Sequence, residues 1–595
     1  MIKARALLVA AILPLAGLTC QPASAGTTTA QTDTAPRQNV PAQLDAAQRA
    51  FYADVFSRID AQDWGNVTAL LQSVQGDPLH QLALARYYLH PDSPAIDLDT
   101  LSRWLAVGSD LPQAEQIGRL AVKRGLATMP NLRGARRLVP LRAPAKRNRP
   151  PAGNDGSMPP ELSAAILERI KNDDPAGAHI LLDGIDAVLT PQARAEWRQR
   201  VAWSYYIEND DANALSLARQ VGAGGAGPWI GEGYWVAGLA AWRLGDCELA
   251  GDGFARAVRD TTNDELLAAA HYWHSRALVR CRQPEAAAPA LRSAAQLDET
   301  LYGMLAAEQL NMTLPQSSSG QPFTAADWRQ LSGQANVRTA IALVEIGREA
   351  LADEVLRHQA RIGDPEQYPA LSRLARALQL PATQLYMAYN APRDARADPA
   401  TRYPAAKWQP LAGWKVDPAL AYAHTLQESN FRADAISPAN AVGLMQITPI
   451  TVRQHAPSLG MDALQVDLAD PATNMAFGQR NLEMLRDAAG TQGLLPKIMA
   501  AYNAGLAPIT RWNTEVRDAG DPLLYMESIP YWETRAYVAI VTRNYWMYQR
   551  QQNTIGLSRN ALAQNLWPHF PSVTGSGAFA MHGKPVLSVG YDHGG

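Results

Sequence analysis

An all-α protein is predicted from three observations. Apolar residues recur at three-to-four spacing over most of the chain. Short Gly or Pro breaks divide that pattern into lengths suited to stacked helix pairs. From residue 161 to 389, no two runs of period two flank an Asn-Gly or similar hairpin turn, which argues against a sheet. At 595 residues the chain is longer than a single core accommodates, so several domains or a repeat array are expected. Hydrophobic residues make up 47% and charged residues 18%, with a formal net charge of −2. So weak a charge excludes bulk attraction to nucleic acid or to an anionic membrane.

Residues 1–25 read as an export signal. Lys3 and Arg5 precede an apolar run from Ala6 to Leu18, and Ala23-Ser24-Ala25 has the small-x-small form of a cleavage site. A lipoprotein reading of Cys20 competes, but Thr19 precedes that cysteine where a smaller residue is usual. The expected location is the periplasm. The apolar run is shorter than the roughly 18 residues that span a bilayer, and no later segment qualifies, so no transmembrane anchor is expected.

A Thr-, Gln-, Ala- and Pro-rich leader, 26–45, is expected to be disordered. Helical repeats follow over 46–128, with clear periodicity in Ala47 to Leu71, His80 to Leu89 and Asp99 to Arg124. Residues 129–160 then break the pattern with many prolines and seven basic residues (Arg133, Arg136, Arg137, Arg142, Lys146, Arg147, Arg149). Such a segment cannot form a helix interior; it reads as a solvated surface linker, with a patch for anionic wall polymers as the alternative.

Helices resume over 161–324. Tyr234-Trp235 is echoed 38 residues later by Tyr272-Trp273, a spacing like that of a degenerate tetratricopeptide-type solenoid. Trp197, Trp203, Trp229, Trp235, Trp242 and Trp273 sit on these helical patterns and read as inter-helix packing rather than sugar-stacking platforms. Cys247 and Cys281 lie 34 residues apart, about one repeat, and are expected to pair; two buried apolar thiols are the alternative.

Candidate chemistry is concentrated after residue 399. Asp417-Pro418 is an N-cap with proline at the first helical position, and the helix runs through Leu420, Tyr422, Ala423 and Leu426 to Glu428. A carboxyl at a helix C-terminus faces the negative end of the dipole; that placement and apolar burial both favour its protonated form. Next comes Ser437-Pro438-Ala439-Asn440-Ala441-Val442-Gly443-Leu444-Met445-Gln446. Gly443 permits close backbone approach, Asn440 tolerates a positive φ, Met445 offers an apolar wall and Gln446 both a donor and an acceptor. In Ala501-Tyr502-Asn503-Ala504-Gly505, Gly505 fits a left-handed helix stop. A fourth segment, Ile529-Pro530-Tyr531-Trp532-Glu533-Thr534-Arg535, leads into a helix through Tyr537 and Val538.

Singly these are ordinary: a glutamate at a helix end is usually solvated, and Ala-Tyr-Asn-Ala-Gly alone is a helix stop. In joint order and spacing they resemble the signature blocks of the soluble lytic transglycosylases. The resemblance covers a catalytic domain at 399–552, and the helical region before it resembles the superhelical part of that family, with a helical linker domain at 325–398. It implies a ring-like α-helical superhelical solenoid followed by an α-rich, goose-lysozyme-like domain.

Carried over residue by residue, Glu428 is the acid/base, and Ser437 positions substrate and glutamate. Met445, Gln446, Tyr502 and Asn503 line the cleft, and Glu533 is a further acidic position near it. The implied substrate is the glycan strand of peptidoglycan, cut at the β-1,4 bond between N-acetylmuramic acid and N-acetylglucosamine to leave 1,6-anhydro ends. A hydrolytic muramidase and a non-catalytic glycan-binding scaffold are the alternatives. For a second carboxylate the sequence offers Asp434, Asp462, Asp467, Asp470 and Glu533.

His424, one turn before Glu428, has no His-x-x-Glu-His or Cys partner and reads as a packing or hydrogen-bonding neighbour rather than a metal ligand. No metal or cofactor is implied, and no protein partner is identifiable. The tail, 553–595, is expected to be largely disordered.

Overall fold

The structure is a computed structural model and describes residues 40–74, 76–314, 321–393 and 399–571. The export signal, Cys20, most of the leader (26–39) and residues 572–595 lie outside the described residues. The regular structure of the rest is almost entirely helical, and none of its helices is long and apolar enough to cross a membrane.

Local chemistry sets the helix starts. Asp174, Thr190, Asp417, Thr448 and Asp470 each cap a helix with a side-chain oxygen, and proline opens each of the five. In the solenoid, helices Trp229–Leu244, Cys247–Asp260 and Asp264–Arg280 pack in succession. Trp273 sits edge-on to Trp235 and Trp242, at 6.3 and 5.3 Å, which makes these tryptophans packing groups. Cys247 and Cys281 are disulfide-bonded, with Cα atoms 5.5 Å apart and 34 residues between them in sequence. A loop of that length is worth about 3–4 kcal/mol in the chain-entropy model. Reduction is therefore expected to lower the thermal midpoint of the oxidised protein, and Cys247→Ser/Cys281→Ser should reproduce the loss without reductant. Equal midpoints with and without reductant would mean that the bond adds nothing.

Two large hydrophobic cores and a small cluster around Trp229 hold the described residues, and neither large core follows chain order. In one, Tyr52, Leu82 and Ile117 from the first helices are fully buried with Ile341, Leu356 and Leu374. Polar bonds cross the same seam. The backbone N–H groups of Gln43 and Leu44 donate to the Glu345 carboxylate at 2.8 and 3.0 Å, and Asn336 donates to the Asp110 carbonyl at 2.7 Å. The end of the leader therefore needs correction: Leu44 is buried and Asp45 caps the first helix. The second core runs without a break from Trp235 and Trp273 in the solenoid to Leu420, Trp512 and Trp546 in the C-terminal domain.

The segment 129–160 is docked, which corrects the solvated-linker reading. Val139–Pro140 pairs antiparallel with Asn390–Ala391, a two-stranded sheet that periodicity did not announce. Arg136 donates through its backbone and its guanidinium to the carbonyls of Arg361 and Gly363, both at 2.9 Å. The carbonyls of Lys146 and Pro151 accept from Asn263 and Trp229 at 2.8 and 2.9 Å, and that of Ala145 accepts from Arg543. Arg147, its side chain 12% exposed, bridges Glu232 of the solenoid at 2.9 Å and Glu527 of the C-terminal domain at 2.8 Å. Proline denies this strap a helix, but an extended backbone can still be satisfied by neighbouring elements.

The tail reading is corrected as well for residues 553–571. Helix Leu557–Ala563 packs on the solenoid, where the Ala563 carbonyl accepts from Gln309 at 2.7 Å and Arg559 pairs with Glu308 at 2.7 Å. Trp567 donates to the Gly520 carbonyl at 2.9 Å.

Candidate active site

Three helices of the C-terminal domain and one turn assemble the site. Helix Pro418–Ser429 starts where the Asp417 carboxylate accepts from the Ala419 N–H at 2.9 Å and from the Tyr545 hydroxyl at 2.7 Å. It ends at Asn430, whose left-handed conformation (φ 51°) stops the helix, so Glu428 occupies the last turn as expected. Helix Leu495–Ala504 brings Tyr502 and Asn503, and helix Trp532–Gln552 brings Glu533, Thr534 and Tyr537.

Between the first two helices lies the turn containing Gly443, whose φ is 80°. A Cβ on Gly443 would stand 2.2 Å from Asn474 Nδ2 and 2.5 Å from the Leu468 carbonyl, so no other residue fits. Buried Asn474 pins the turn, donating to the carbonyls of Val442 and Leu468 at 2.8 and 2.9 Å and accepting from the Met445 N–H at 2.8 Å. Asn440 takes the tolerated positive φ, at 57°. Ser429 ties the Glu428 helix to the turn through a 2.8 Å bond to the Leu444 carbonyl.

Glu428 accepts a 2.6 Å hydrogen bond from the Tyr537 hydroxyl. Burial raises its pKa to about 7; the Tyr537 bond draws it back in part, and the charge of Glu533 adds to the rise. The carboxyl is thus half-protonated near neutrality, able both to give and to take a proton. Tyr502 donates to the Met445 carbonyl at 2.8 Å, and Thr534 donates to Asn503 at 2.6 Å.

Ser437 closes its own turn, accepting from the Ala441 N–H at 3.0 Å. Gln446 donates to the carbonyls of Ala435 and Gly443 at 3.2 and 2.9 Å. Met445 is fully buried and packs against Gly478, underneath the surface rather than as an exposed wall. Glu533 is exposed, one turn before Tyr537. Gly505 ends its helix with φ 85° and ψ 167°, a glycine-only extended conformation that corrects the left-handed stop. Among the described residues, no three His, Cys, Asp or Glu side chains converge so as to hold a metal ion.

Residues 408–524 match the model of the transglycosylase SLT domain. A Haemophilus influenzae relative is 34% identical over 146 residues, 24% of each chain. The soluble lytic murein transglycosylase of Escherichia coli K12 is 32% identical over 129 residues, 21% of this chain and 20% of that one. The C-terminal domain of this chain is thus similar to that of the soluble lytic transglycosylases. These sequence matches span a quarter or less of the relatives' own length. The fold extends further. The 70 kDa soluble lytic transglycosylase of E. coli superposes with a TM-score of 0.54 at 16% identity, covering 88% of this chain and 99% of that one. The lytic transglycosylase Slt of Pseudomonas aeruginosa, solved as an inactive mutant, gives 0.50 at 18% identity, covering 85% and 86%. The all-α expectation of a helical solenoid followed by a lysozyme-like domain therefore holds.

Sequence reasoning assigned no role to Asn474, inside the matched domain, or to Tyr537, beyond its end. Tyr537 carried a readable signal, since it stands four residues after Glu533, on the same face of a helix opened by a signature block. Asn474 carried none; a lone Asn inside a helical pattern is indistinguishable from a surface residue.

Proposed function

We propose that this chain is an exported, periplasmic lytic transglycosylase that cleaves the β-1,4 bond between N-acetylmuramic acid and N-acetylglucosamine in peptidoglycan. The observation that carries this reading is the Glu428 carboxyl, poised near pH 7 at a buried helix end and held by Tyr537. In this mechanism protonated Glu428 gives its proton to the O4 leaving oxygen of N-acetylglucosamine as the bond to C1 breaks. The resulting carboxylate then takes the proton of the muramic C6 hydroxyl, whose oxygen bonds to C1 and closes a 1,6-anhydro ring. No water is consumed, and the tethered hydroxyl has a high effective molarity. The solved complex of a 70 kDa soluble lytic transglycosylase with bulgecin A belongs to that protein; it is consistent with a ligand-binding fold of this kind.

Glu533 favours a second reading, hydrolysis. It lies one turn from Tyr537, and its charge is felt by Glu428, so it is the second carboxyl that a hydrolase would need. Digestion of purified peptidoglycan in oxygen-18 water separates the two. The expected products end in anhydro-muramic residues, one water lighter than the reducing form and free of label. Activity should fall as pH rises through about 7, because the acid form starts the reaction. Labelled reducing ends would reject the anhydro mechanism and assign Glu533 to water activation.

A further inference from the structure

His424 lies one helical turn before Glu428 and is wholly buried. Its Nδ1 is 2.8 Å from the Tyr537 hydroxyl, the same hydroxyl that donates to Oε1 of Glu428 at 2.6 Å. Its Nε2 is buried with no hydrogen-bond partner among the described residues, and its ring packs 4.6 Å from that of Tyr502. A leucine would fill this position without stranding a polar atom, so packing does not account for a histidine.

A proton count does. Burial lowers the imidazole pKa to about 3, so the ring is neutral and carries one N–H. On Nε2 that hydrogen would be an orphaned buried donor; on Nδ1 it is satisfied by the phenol oxygen, and only a bare lone pair is stranded. The phenol oxygen then accepts from His424, and its single hydrogen goes to Glu428. The reverse chain, in which protonated Oε1 donates to Tyr537 and Tyr537 to Nδ1, requires the hydrogen on Nε2.

We infer that His424 is a positioning residue that directs the Tyr537 hydroxyl onto Oε1 of Glu428 in both protonation states, so that the proton exchanged with substrate is carried on Oε2. This rests on the transglycosylase reading above. Delivery and recovery of the proton then use one and the same oxygen, and none of the protonated population is spent facing Tyr537. The ionisable groups facing this pair are Tyr537 and Glu533 from helix Trp532–Gln552 and Tyr502 from helix Leu495–Ala504.

The test is the titration of the Glu428 carboxyl in the full chain, followed by carbon-13 NMR and assigned by the signal missing in Glu428→Gln, alongside kcat and KM on purified glycan strands. In His424→Leu the phenol loses the bond that polarises it and becomes free to accept from protonated Glu428. The Glu428 midpoint should therefore move to higher pH, and kcat should fall about three- to tenfold, with KM unchanged. His424→Asn, which keeps an N–H near the Nδ1 position, should restore both. In a Tyr537→Phe background, His424→Leu should change nothing further. A wild-type midpoint in His424→Leu, no rescue by asparagine, or an equal shift in the Tyr537→Phe background would overturn the inference. If the midpoint behaves as expected but no variant, nor the wild type, cleaves glycan, the positioning role stands and the proposed activity falls.

Discussion

Glu428→Gln is expected to fold normally and to lose about 10²- to 10⁴-fold in kcat, the usual contribution of a general acid/base group. The amide keeps the shape and can still accept from Tyr537, but it has no acidic proton to give. The same variant has a stability signature with a defined sign. The folded carboxyl titrates at about 7, against 4.5 for the ordinary group. Its contribution is fully present below about pH 4.5 and is lost as pH rises through about 7, where the buried site must hold a charge or give up its fold. Above pH 7 the loss reaches about 3 kcal/mol, and glutamine avoids it. The variant should therefore melt above the wild type at pH 8 and together with it at pH 4. A difference in melting temperature that stays flat from pH 4 to 8 would mean that Glu428 is not desolvated, and near-wild-type turnover would remove it from the mechanism.

Arg147→Met should produce the largest loss of stability. The guanidinium sits between the Glu232 and Glu527 carboxylates, both deeply buried. Burial opposes its charge, yet those two carboxylates hold its pKa above the ordinary arginine value. Glu527 also accepts from the Tyr302 hydroxyl at 2.8 Å, so strap, solenoid and C-terminal domain meet at one charge cluster. Removing this cation leaves two buried anions facing a single buried cation, Arg535, and such an unbalanced buried cluster typically costs about 3–5 kcal/mol. Thermal unfolding should report it, and trypsin should gain access to the bond after Lys146 in the loosened strap. Arg147→Met/Glu232→Gln should recover most of the loss, because Glu527 then faces buried Arg535 and no charge is stranded. An unchanged melting temperature in the single variant would show that the cluster does not hold the strap.

Much of the site was legible because its signals are local. Asp417-Pro418 starts a helix wherever it is placed before an apolar run, and Glu428 then falls in the last turn by counting. Gly443 and Asn440 announce positive φ by residue type alone. Gly505 was legible as a helix end but not in its conformation, since a positive φ leaves ψ open.

What the sequence by itself determined is therefore the run of helices, their caps, the order of the signature blocks and the place of Glu428 in a helix's last turn. Each depends on interactions within a few residues, which composition and spacing record. Only the tertiary structure decided which groups meet. Tyr537 reaches Glu428 across 109 residues, and Arg147 finds Glu232 and Glu527 across 85 and 380. The first helices share a core with those near residue 340. Proline and charge told correctly that the strap is not helical, yet they misjudged its exposure, because an extended basic segment is solvated or buried according to the carboxylates and carbonyls opposite it. Those partners lie far along the chain, where periodicity carries no record of them, and the raised pKa of Glu428 depends on the same assembled burial.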